Sequence, residues 1–442
     1  MSIPRLRFLI ALLGSLTTGV VGLVHSAAAT NQSGGIALST TQSASGRAQT
    51  GTSAAPSSPA APRAATPAAR SRYAGSGSGE SGSTSSEILG GSTTSTTAGP
   101  ATTTSTTAAP AATTSTTPPG GNQPVIGVSL PALLTQTQAT QAAWLSNLKS
   151  IGINSVRIGA QWAWISGDGP GTYDWSQLDT EVDSVRAAGM SIDMLIMGTP
   201  SWAAVAGESG SDVAQPADPA QFGQFAAAVA QRYAPDGVRD FEIWNEPNCT
   251  VFWQPAPNPA AYVQILQAAY TDIKAVDPGA YVISGGLAPE NDQDGNINEV
   301  EFLQDMYADG AEGYFDALGD HPYSYPGLPD TYNAESGWSE MDATPTSLRS
   351  VMTANGDGSK PIWITEVGAP TGGPDSVGTT GQAEELTQAI DNAKASSWIG
   401  ALYIYTYEDS GGDPTTDEDW FGLLNADGSP KPAWSAVAAA IG

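Results

Sequence analysis

Apolar residues return in short runs along the chain after residue 122, and the segments between these runs have helical spacing. Runs that are apolar on successive positions are typical of parallel strands that helices cover on the outside. Eight such runs predict strands at residues 125–128, 155–158, 192–197, 241–244, 281–284, 315–318, 362–365 and 401–405.

The segments between the predicted strands read as helices that end at glycine. Leu145, Leu148 and Ile151 recur at three-residue spacing, and Gly152 follows before the next strand. Val182 and Val185 are followed in the same way by Gly189. Glycine just beyond the last periodic residue is a common helix stop. Eight alternating strand and helix units predict the α/β class, as a single (β/α)8 TIM barrel that spans residues 123–442.

The first 122 residues differ in composition from the rest of the chain. Residues 30–122 consist almost entirely of Ser, Thr, Ala, Pro and Gly. Such a segment buries too little apolar surface to offset its chain entropy, so we expect a disordered linker, and its Thr-Thr-Ser-Thr-Thr repeats suggest an extended stalk. Residues 1–29 carry Arg5 and Arg7, an apolar stretch at 8–24 and Ala27-Ala28-Ala29, which predicts a signal peptide. The alternative is an uncleaved membrane anchor. Either reading predicts a secreted or cell-surface protein.

The charge balance argues against nucleic acid as a partner. The formal net charge is -28, and the first 122 residues hold six Arg and two Glu, which leaves 10 basic and 42 acidic residues in the predicted barrel. This negative field repels phosphate backbones. Cys249 is the one cysteine, and His321 is the one histidine beyond the predicted signal. We therefore predict no internal disulfide and no zinc cluster.

Two glutamates stand where an apolar strand meets its following loop. The fourth predicted strand ends in Asn245-Glu246-Pro247, and the seventh ends in Thr365-Glu366. The carboxyl ends of barrel strands face one common mouth, so these two carboxyl groups should meet there. A pair of carboxyl groups across one cleft is what glycosidic cleavage requires. The alternative is that both glutamates serve structural salt bridges.

The order of these motifs resembles clan A glycoside hydrolases, especially families 5 and 39, over most of residues 123–442. The resemblance rests on Trp244-Asn245-Glu246-Pro247, Thr365-Glu366, His321-Pro322-Tyr323, Phe421-Gly422-Leu423-Leu424 and Lys431-Pro432-Ala433-Trp434.

This resemblance implies roles for individual residues. Glu246 would be the general acid/base and Glu366 the nucleophile of a reaction that retains the anomeric configuration. Asn245 would bond the sugar 2-hydroxyl. Arg157, at the end of the second strand, would keep Glu366 ionised, although a purely structural ion pair is the alternative. The His321 and Tyr323 side chains would orient the carboxyl groups and the sugar.

The aromatic residues of the predicted cleft are candidate sugar platforms. Clan members carry a Trp as sugar platform at the end of strand eight, where this chain has Tyr403-Ile404-Tyr405-Thr406-Tyr407. Tyr405 or Tyr407 would take its place, and we select Tyr407. Trp162 and Trp253 are our candidates for stacking on pyranose rings, and Trp164, Trp202 and Trp420 lie in similar loops. For each Trp, packing in the core is an equal alternative.

Two further sequence patterns give little support to a functional site. Residues 290–301 follow the spacing of a calcium loop except at the first position, and no helix precedes them, so a polar loop is the simpler interpretation. Cys249 with His321 and Asn245 could indicate a thiol hydrolase, but nothing else in the sequence supports that chemistry.

The sequence thus predicts a secreted, monomeric, retaining O-glycosyl hydrolase that acts on a polysaccharide or glycoconjugate, within the chain rather than at its end. The linker would tether it to a cell wall. The predicted hydrolase reaction requires no metal and no cofactor. The alternatives are a transglycosylase that uses the same residues and a sugar-binding protein that has lost turnover.

Overall fold

The computed structural model describes residues 123–442, and these form one barrel of eight parallel strands. The strands are β1 (Val125–Ser129), β2 (Ser155–Gln161), β3 (Ser191–Met197), β4 (Asp240–Asn245), β5 (Tyr281–Gly286), β6 (Leu318–Asp320), β7 (Ile362–Val367) and β8 (Ile399–Tyr405). Their order is β5-β4-β3-β2-β1-β8-β7-β6. Parallel bridges from Ile283 to Ala317 and from Leu287 to Asp320 bring β5 and β6 together. The predicted (β/α)8 TIM barrel is confirmed.

Helices cover the outside of the barrel. They are α1 (Gln138–Ser150), α2 (Trp162–Ile165), α3 (Ser176–Ala187), α4 (Pro219–Tyr233), α5 (Pro259–Val276), α6 (Glu299–Ala308), α7 (Gly337–Asp342), α8 (Leu348–Ala354), α9 (Gly378–Ala395) and α10 (Pro432–Ile441). None of the helices in this part of the chain has the length and apolar character that a membrane crossing requires.

Side-chain caps and left-handed glycines fix where several helices begin and end. Asp218 and Asn258 accept backbone N–H bonds at the starts of α4 and α5, and a proline follows each cap. Gly152 and Gly189, the predicted stops, have φ of 93° and 65°, a left-handed conformation that costs glycine little.

The strands occur where the apolar runs predict them, except at β6. That strand was predicted at residues 315–318 but lies at Leu318–Asp320. Phe315 is instead a buried loop residue that packs against Tyr307, and Ala317 forms one isolated bridge to Ile283. The apolar run therefore reflects core packing before the strand begins. The predicted signal peptide (1–29) and linker (30–122) lie outside the described residues.

Candidate active site

The ends of β4 and β7 place two glutamates at one mouth of the barrel. Glu246 follows Asn245 at the end of β4, and Glu366 lies near the end of β7. Glu246 and Trp244 have positive φ, 44° and 75°, a left-handed conformation that is strained for residues with a side chain. The amide of Glu246 is anchored by its bond to the carbonyl of Gly286 on β5, at 3.0 Å.

Both glutamates line one open cleft. One carboxyl oxygen of Glu246, one of Glu366 and a ring nitrogen of His321 all lie within 4.8 Å of one another. Arg157, Asn245 and Tyr405 line the same cleft. The sequence-predicted carboxyl pair therefore meets in space.

Glu366 is held by one cation and one hydroxyl. Arg157 Nη1 donates to its Oε1 at 2.6 Å, and the Tyr323 hydroxyl donates to its Oε2 at 2.9 Å. Burial raises the pKa of Glu366, while Arg157 and Tyr323 oppose that rise. These contacts favour the ionised carboxylate.

Arg157 is fully buried and is shared between carboxylates. Its Nε donates to Glu242 of β4, and its Nη2 donates to Asn245 Oδ1 at 2.8 Å. Burial alone would lower the pKa of Arg157, but Glu242 and Glu366 outweigh this effect and the pKa is raised. The guanidinium therefore stays charged and fixes Glu366 and Asn245 in one geometry.

Glu246 has the opposite environment. Its Oε1 lies 2.7 Å from His321 Nδ1, while its Oε2 is buried and has no hydrogen-bond partner among the described residues. Burial raises the pKa of Glu246 well above its ordinary value, and the charge of Glu366 raises it further. Burial, and then Arg157, lower the pKa of His321 well below its ordinary value. A protonated Glu246 beside a neutral imidazole follows from this environment.

A chain of hydrogen bonds joins the two glutamates behind the cleft. His321 Nε2 lies 3.0 Å from Thr365 Oγ1, and Thr365 Oγ1 lies 2.9 Å from Glu242 Oε1. Glu242 then pairs with Arg157, which holds Glu366. No role was predicted from sequence for Glu242 or Thr365. The sequence did contain a signal for Glu242, because it is a charged residue inside the apolar run of β4. A buried charge of this kind needs a buried partner.

At the end of β8 the structure corrects our choice of tyrosine. The Tyr407 side chain is 2% exposed, stacks against Trp144, and its hydroxyl accepts from Asn147 Nδ2 at 2.9 Å. It therefore lies between barrel and helices, away from the cleft. Tyr405 lines the cleft instead and donates to Glu418. Burial raises the pKa of Glu418 to about 8.

Two predicted sugar platforms are also wrong. Trp162 is 1% exposed and packs against Phe222 and Phe225 of α4. Trp253 is fully buried between Trp244 and Tyr262. Core packing, the alternative interpretation, applies to both. Trp164, two residues after Trp162, is 42% exposed and lines the cleft.

Glu246, His321 and Glu366 are the one group in the described residues with a spacing that could suit a metal ion. The bonds from His321 to Glu246 and from Arg157 and Tyr323 to Glu366 already engage atoms of all three residues. In the loop at 290–301, Glu290 accepts from Asn296 and Asp292 accepts from the amide of Asn298. These carboxylates thus bond within the loop itself.

The family model described as cellulase (glycosyl hydrolase family 5) matches residues 116–405. The chain belongs to this family. No curated protein sequence matches it.

Solved structures show the same fold at low sequence identity. A family 39 glycoside hydrolase from Bacteroides cellulosilyticus WH2 aligns with a TM-score of 0.58 and 20% identity, over 72% of this chain and 64% of that chain. A family 5 structure from Streptomyces cattleya in complex with GlcNAc aligns with a TM-score of 0.55 and 18% identity, over 72% and 80%. A monomeric β-xylosidase from Caulobacter crescentus CB15 aligns with a TM-score of 0.53 and 20% identity, over 73% and 68%. The chain thus spans less than two thirds of the Bacteroides protein.

Proposed function

We propose that this family 5 barrel hydrolyses O-glycosidic bonds with retention, through a covalent glycosyl-Glu366 intermediate. The observation that carries the proposal is the close approach of the two carboxyl groups, whose oxygens lie within 4.8 Å of each other. Retaining glycosidases have carboxyl groups about 5–5.5 Å apart, whereas inverting ones need about 6.5–9.5 Å to admit a water molecule. Membership of the glycosyl hydrolase family supports the same reaction.

The environments of the two carboxyl groups support different roles for them. Glu366, paired with Arg157, attacks the anomeric carbon as the carboxylate. Glu246, which burial keeps protonated, gives its proton to the leaving glycosidic oxygen as that bond breaks. In the second step Glu246 takes a proton from water, whose oxygen attacks the anomeric carbon and frees Glu366.

Three neighbouring residues support this chemistry. Asn245, held by Arg157 at 2.8 Å, is placed to bond the sugar 2-hydroxyl. Tyr323 bonds Glu366 and would release it as charge moves to the ester. His321 orients Glu246. Hydrogen bonds of this kind that strengthen in the transition state contribute directly to rate.

We infer that the substrate is a polysaccharide or glycoconjugate and that cleavage is internal to its chain. The cleft continues past the catalytic pair to Trp164, which gives room for more than one sugar unit. End-wise cleavage is the alternative, since one structure with this fold is an exo-β-1,4-mannosidase from an Opitutaceae bacterium. We also propose a secreted or cell-surface monomer tethered to a wall by residues 30–122, on the basis of the sequence of residues 1–122.

The test is reducing-sugar release by the full chain on β-glucans, mannan, xylan and galactan, with Glu366→Gln and Glu246→Gln alongside. We expect one glycan to be cleaved and both variants to lose activity by several orders of magnitude. Internal cleavage would give a ladder of oligosaccharides, and end-wise cleavage would give one small product. Oligosaccharides longer than the substrate would indicate transglycosylation. Cleavage that survives in both variants would refute the assignment of the pair.

A further inference from the structure

The hydrogen bonds behind the cleft determine which ring nitrogen of His321 carries a proton. The ring has one partner on each side: Nδ1 lies 2.7 Å from Glu246 Oε1, and Nε2 lies 3.0 Å from Thr365 Oγ1. Which atom donates in each contact depends on the tautomer of the ring. The other partner of Thr365 decides between the two tautomers.

Thr365 has one hydroxyl proton, and Glu242 accepts it. Thr365 Oγ1 donates to Glu242 Oε1 at 2.9 Å. Glu242 pairs with the guanidinium of Arg157, and an ionised carboxylate can only accept hydrogen bonds. Because a hydroxyl has a single proton, Thr365 offers only lone pairs on its other side. His321 must therefore donate to Thr365, and its Nε2 carries a proton.

The packing around this contact protects the order of donors. A Cβ at Gly286 of β5 would collide with His321 Nε2 and would approach Thr365 Oγ1 to 2.6 Å, so only glycine leaves room for the two side chains to meet. The amide of Gly286 also donates to Glu242 Oε1, at 3.1 Å. Glu242, His321 and Thr365 are fully buried. Bulk water cannot replace a lost partner there, so a mismatched donor or acceptor is costly.

The second ring nitrogen of His321 is then an acceptor. Burial lowers the pKa of His321 well below its ordinary value, and the charge of Arg157 lowers it further, so the ring is neutral. A neutral ring with its proton on Nε2 has a bare lone pair on Nδ1. Glu246 Oε1, at 2.7 Å from that lone pair, must supply the proton between them. The donors therefore follow one direction, from Glu246 through His321 and Thr365 to Glu242.

Loss of the Glu246 proton would break this order. An ionised Glu246 would place its Oε1 against the bare Nδ1 of His321, with two acceptors 2.7 Å apart. The other tautomer of His321 would relieve that contact, but its bare Nε2 would then face Thr365, whose proton is bonded to Glu242. Each arrangement with an ionised Glu246 and a neutral ring thus loses one hydrogen bond. The order of donors therefore favours protonated Glu246.

We propose that Thr365 and Glu242 are positioning residues for the acid/base step, because they hold His321 as the Nε2–H tautomer and so keep a proton on Glu246 until the substrate takes it. This inference rests on the proposed function, since it explains how the acid of that reaction stays protonated. The O–H bond of Glu246 breaks as the carboxyl group turns its proton from His321 to the glycosidic oxygen. The attacking water later returns one proton, and the same order of donors makes the ionised Glu246 a stronger base toward that water.

Nitrogen NMR tests the tautomer directly and needs no substrate. The chain has two histidines, His25 and His321, so full-length protein with isotope-labelled histidine gives two ring signals, which His25→Gln assigns. Couplings to the ring protons identify the nitrogen that carries hydrogen. We expect a neutral His321 with its proton on Nε2 wherever Glu246 stays protonated. A proton on Nδ1, in a neutral ring or in an imidazolium, would overturn the inference.

Thr365→Val tests the role of the hydroxyl, and Thr365→Ser tests its rescue. Valine has nearly the shape of threonine but neither accepts from His321 nor donates to Glu242. The Nδ1–H tautomer can then bond an ionised Glu246, so the pH at which Glu246 loses its proton should fall by about one unit, the equivalent of one hydrogen bond. The His321 ring signal followed against pH measures this fall, and the high-pH limb of kcat/KM on the cleaved glycan should move with it. Serine keeps the hydroxyl and should restore both.

The other titratable groups around Glu246 stay constant in this test. Burial raises the pKa of Glu246, the charge of Glu366 raises it further, and Arg157 opposes the rise. The remaining titratable groups that face Glu246 are Glu290, Glu418, Cys249 and Tyr323. None of these residues changes in the threonine variants, so a shift in Thr365→Val that serine reverses comes from the hydroxyl.

Thr199→Val is the matched control. Thr199 is also buried, and its hydroxyl donates to the carbonyl of Ala214 at 2.6 Å, away from the residues that line the cleft. This variant should leave the tautomer of His321 and the pH of proton loss unchanged. An equal shift in both valine variants would overturn the positioning role, and so would an unchanged pH of proton loss in Thr365→Val. The wild-type spectrum decides the tautomer even if Thr365→Val does not fold.

The proposed function fails separately. If His321 has the expected tautomer but the wild type cleaves no glycan, the order of donors stands and the hydrolase does not. If the wild type cleaves a glycan and loses activity in Glu246→Gln and Glu366→Gln while His321 carries its proton on Nδ1, the hydrolase stands and the positioning role does not.

Discussion

Nδ1 of His321 lies 2.7 Å from Oε1 of Glu246, and both groups are almost completely buried. This bond links Glu246, the proposed acid/base residue, to a side chain that burial keeps neutral. A neutral imidazole does not draw the proton off Glu246 by charge, as an imidazolium would. The contact between His321 and Glu246 therefore sets the protonation state of Glu246. Our assignment of Glu246 as the acid depends on that state.

The pH profile of kcat/KM should report this state. The proposed mechanism requires Glu246 to be protonated and Glu366 to be ionised, so the rate should fall at high pH as Glu246 loses its proton. Because burial raises the pKa of Glu246, that limb should lie well above the ordinary range of glutamate. In Glu246→Gln the high-pH limb should disappear from the residual activity measured with an activated aryl glycoside. A limb that persists there would assign the acid to another group.

Removing His321 should lower kcat far more than it changes KM. His321→Phe fills the space but removes the hydrogen bond that His321 makes with Glu246 Oε1, so the carboxyl group is misoriented. We expect kcat to fall about a hundredfold, within the usual range for general acid catalysis. Steady-state kinetics on the substrate found by the glycan panel would measure it. A rise in KM at constant kcat would assign His321 to sugar binding instead.

Arg157→Met should destabilise the fold. The variant leaves Glu242 and Glu366 as buried carboxylates without their cation, which typically costs about 3–5 kcal/mol of the free energy of unfolding. Arg232→Met is the matched control, because Arg232 pairs with Asp179 at the surface and should contribute at most about 1 kcal/mol. Urea denaturation of both variants would measure their losses in the free energy of unfolding. Equal losses would show that the buried network is not what stabilises this region.

The two tyrosines at the end of β8 should separate activity from stability. Tyr407→Phe loses the bond with Asn147 and should reduce the free energy of unfolding by about 1 kcal/mol at unchanged kcat/KM. Tyr405→Phe loses the bond to Glu418 inside the cleft and should lower kcat/KM. Kinetics and thermal melts of the pair would check this. The reverse pattern would restore Tyr407 as the cleft residue.

Glu418 should make stability depend on pH. The folded protein keeps this proton up to a pKa of about 8, whereas the ordinary value is 4.5. The folded state thus binds more protons in this window, so its contribution to stability is lost as pH rises from about 4.5 to about 8. Glu418→Gln should flatten that part of the curve of melting temperature against pH. An unchanged slope would show that Glu418 is ionised throughout.

Much of the barrel could be predicted because parallel strands are buried on both faces and appear as continuous apolar runs. The carboxyl pair was predictable too, since a glutamate that ends an apolar strand of a barrel must face the mouth. Strand β6 was misplaced because Phe315 is apolar for packing, and apolarity does not distinguish a buried loop from a strand.

The aromatic residues could not be assigned from sequence for a different reason. Trp162 and Trp164 are two positions apart, and only their local geometry decides that the first packs on Phe225 and the second faces the cleft. Tyr405 and Tyr407 share the same ambiguity, because both could be read as the end of β8.

The most direct test of the central claim is a search for the covalent intermediate. Full-length protein would be incubated with an activated 2-deoxy-2-fluoro glycoside of the preferred sugar, digested, and mapped by mass spectrometry. The account predicts one fluoroglycosyl group, on the peptide that contains Glu366, and none in Glu366→Gln. A label on another residue, or rapid release of product with inverted configuration and no label, would contradict a retaining mechanism through Glu366.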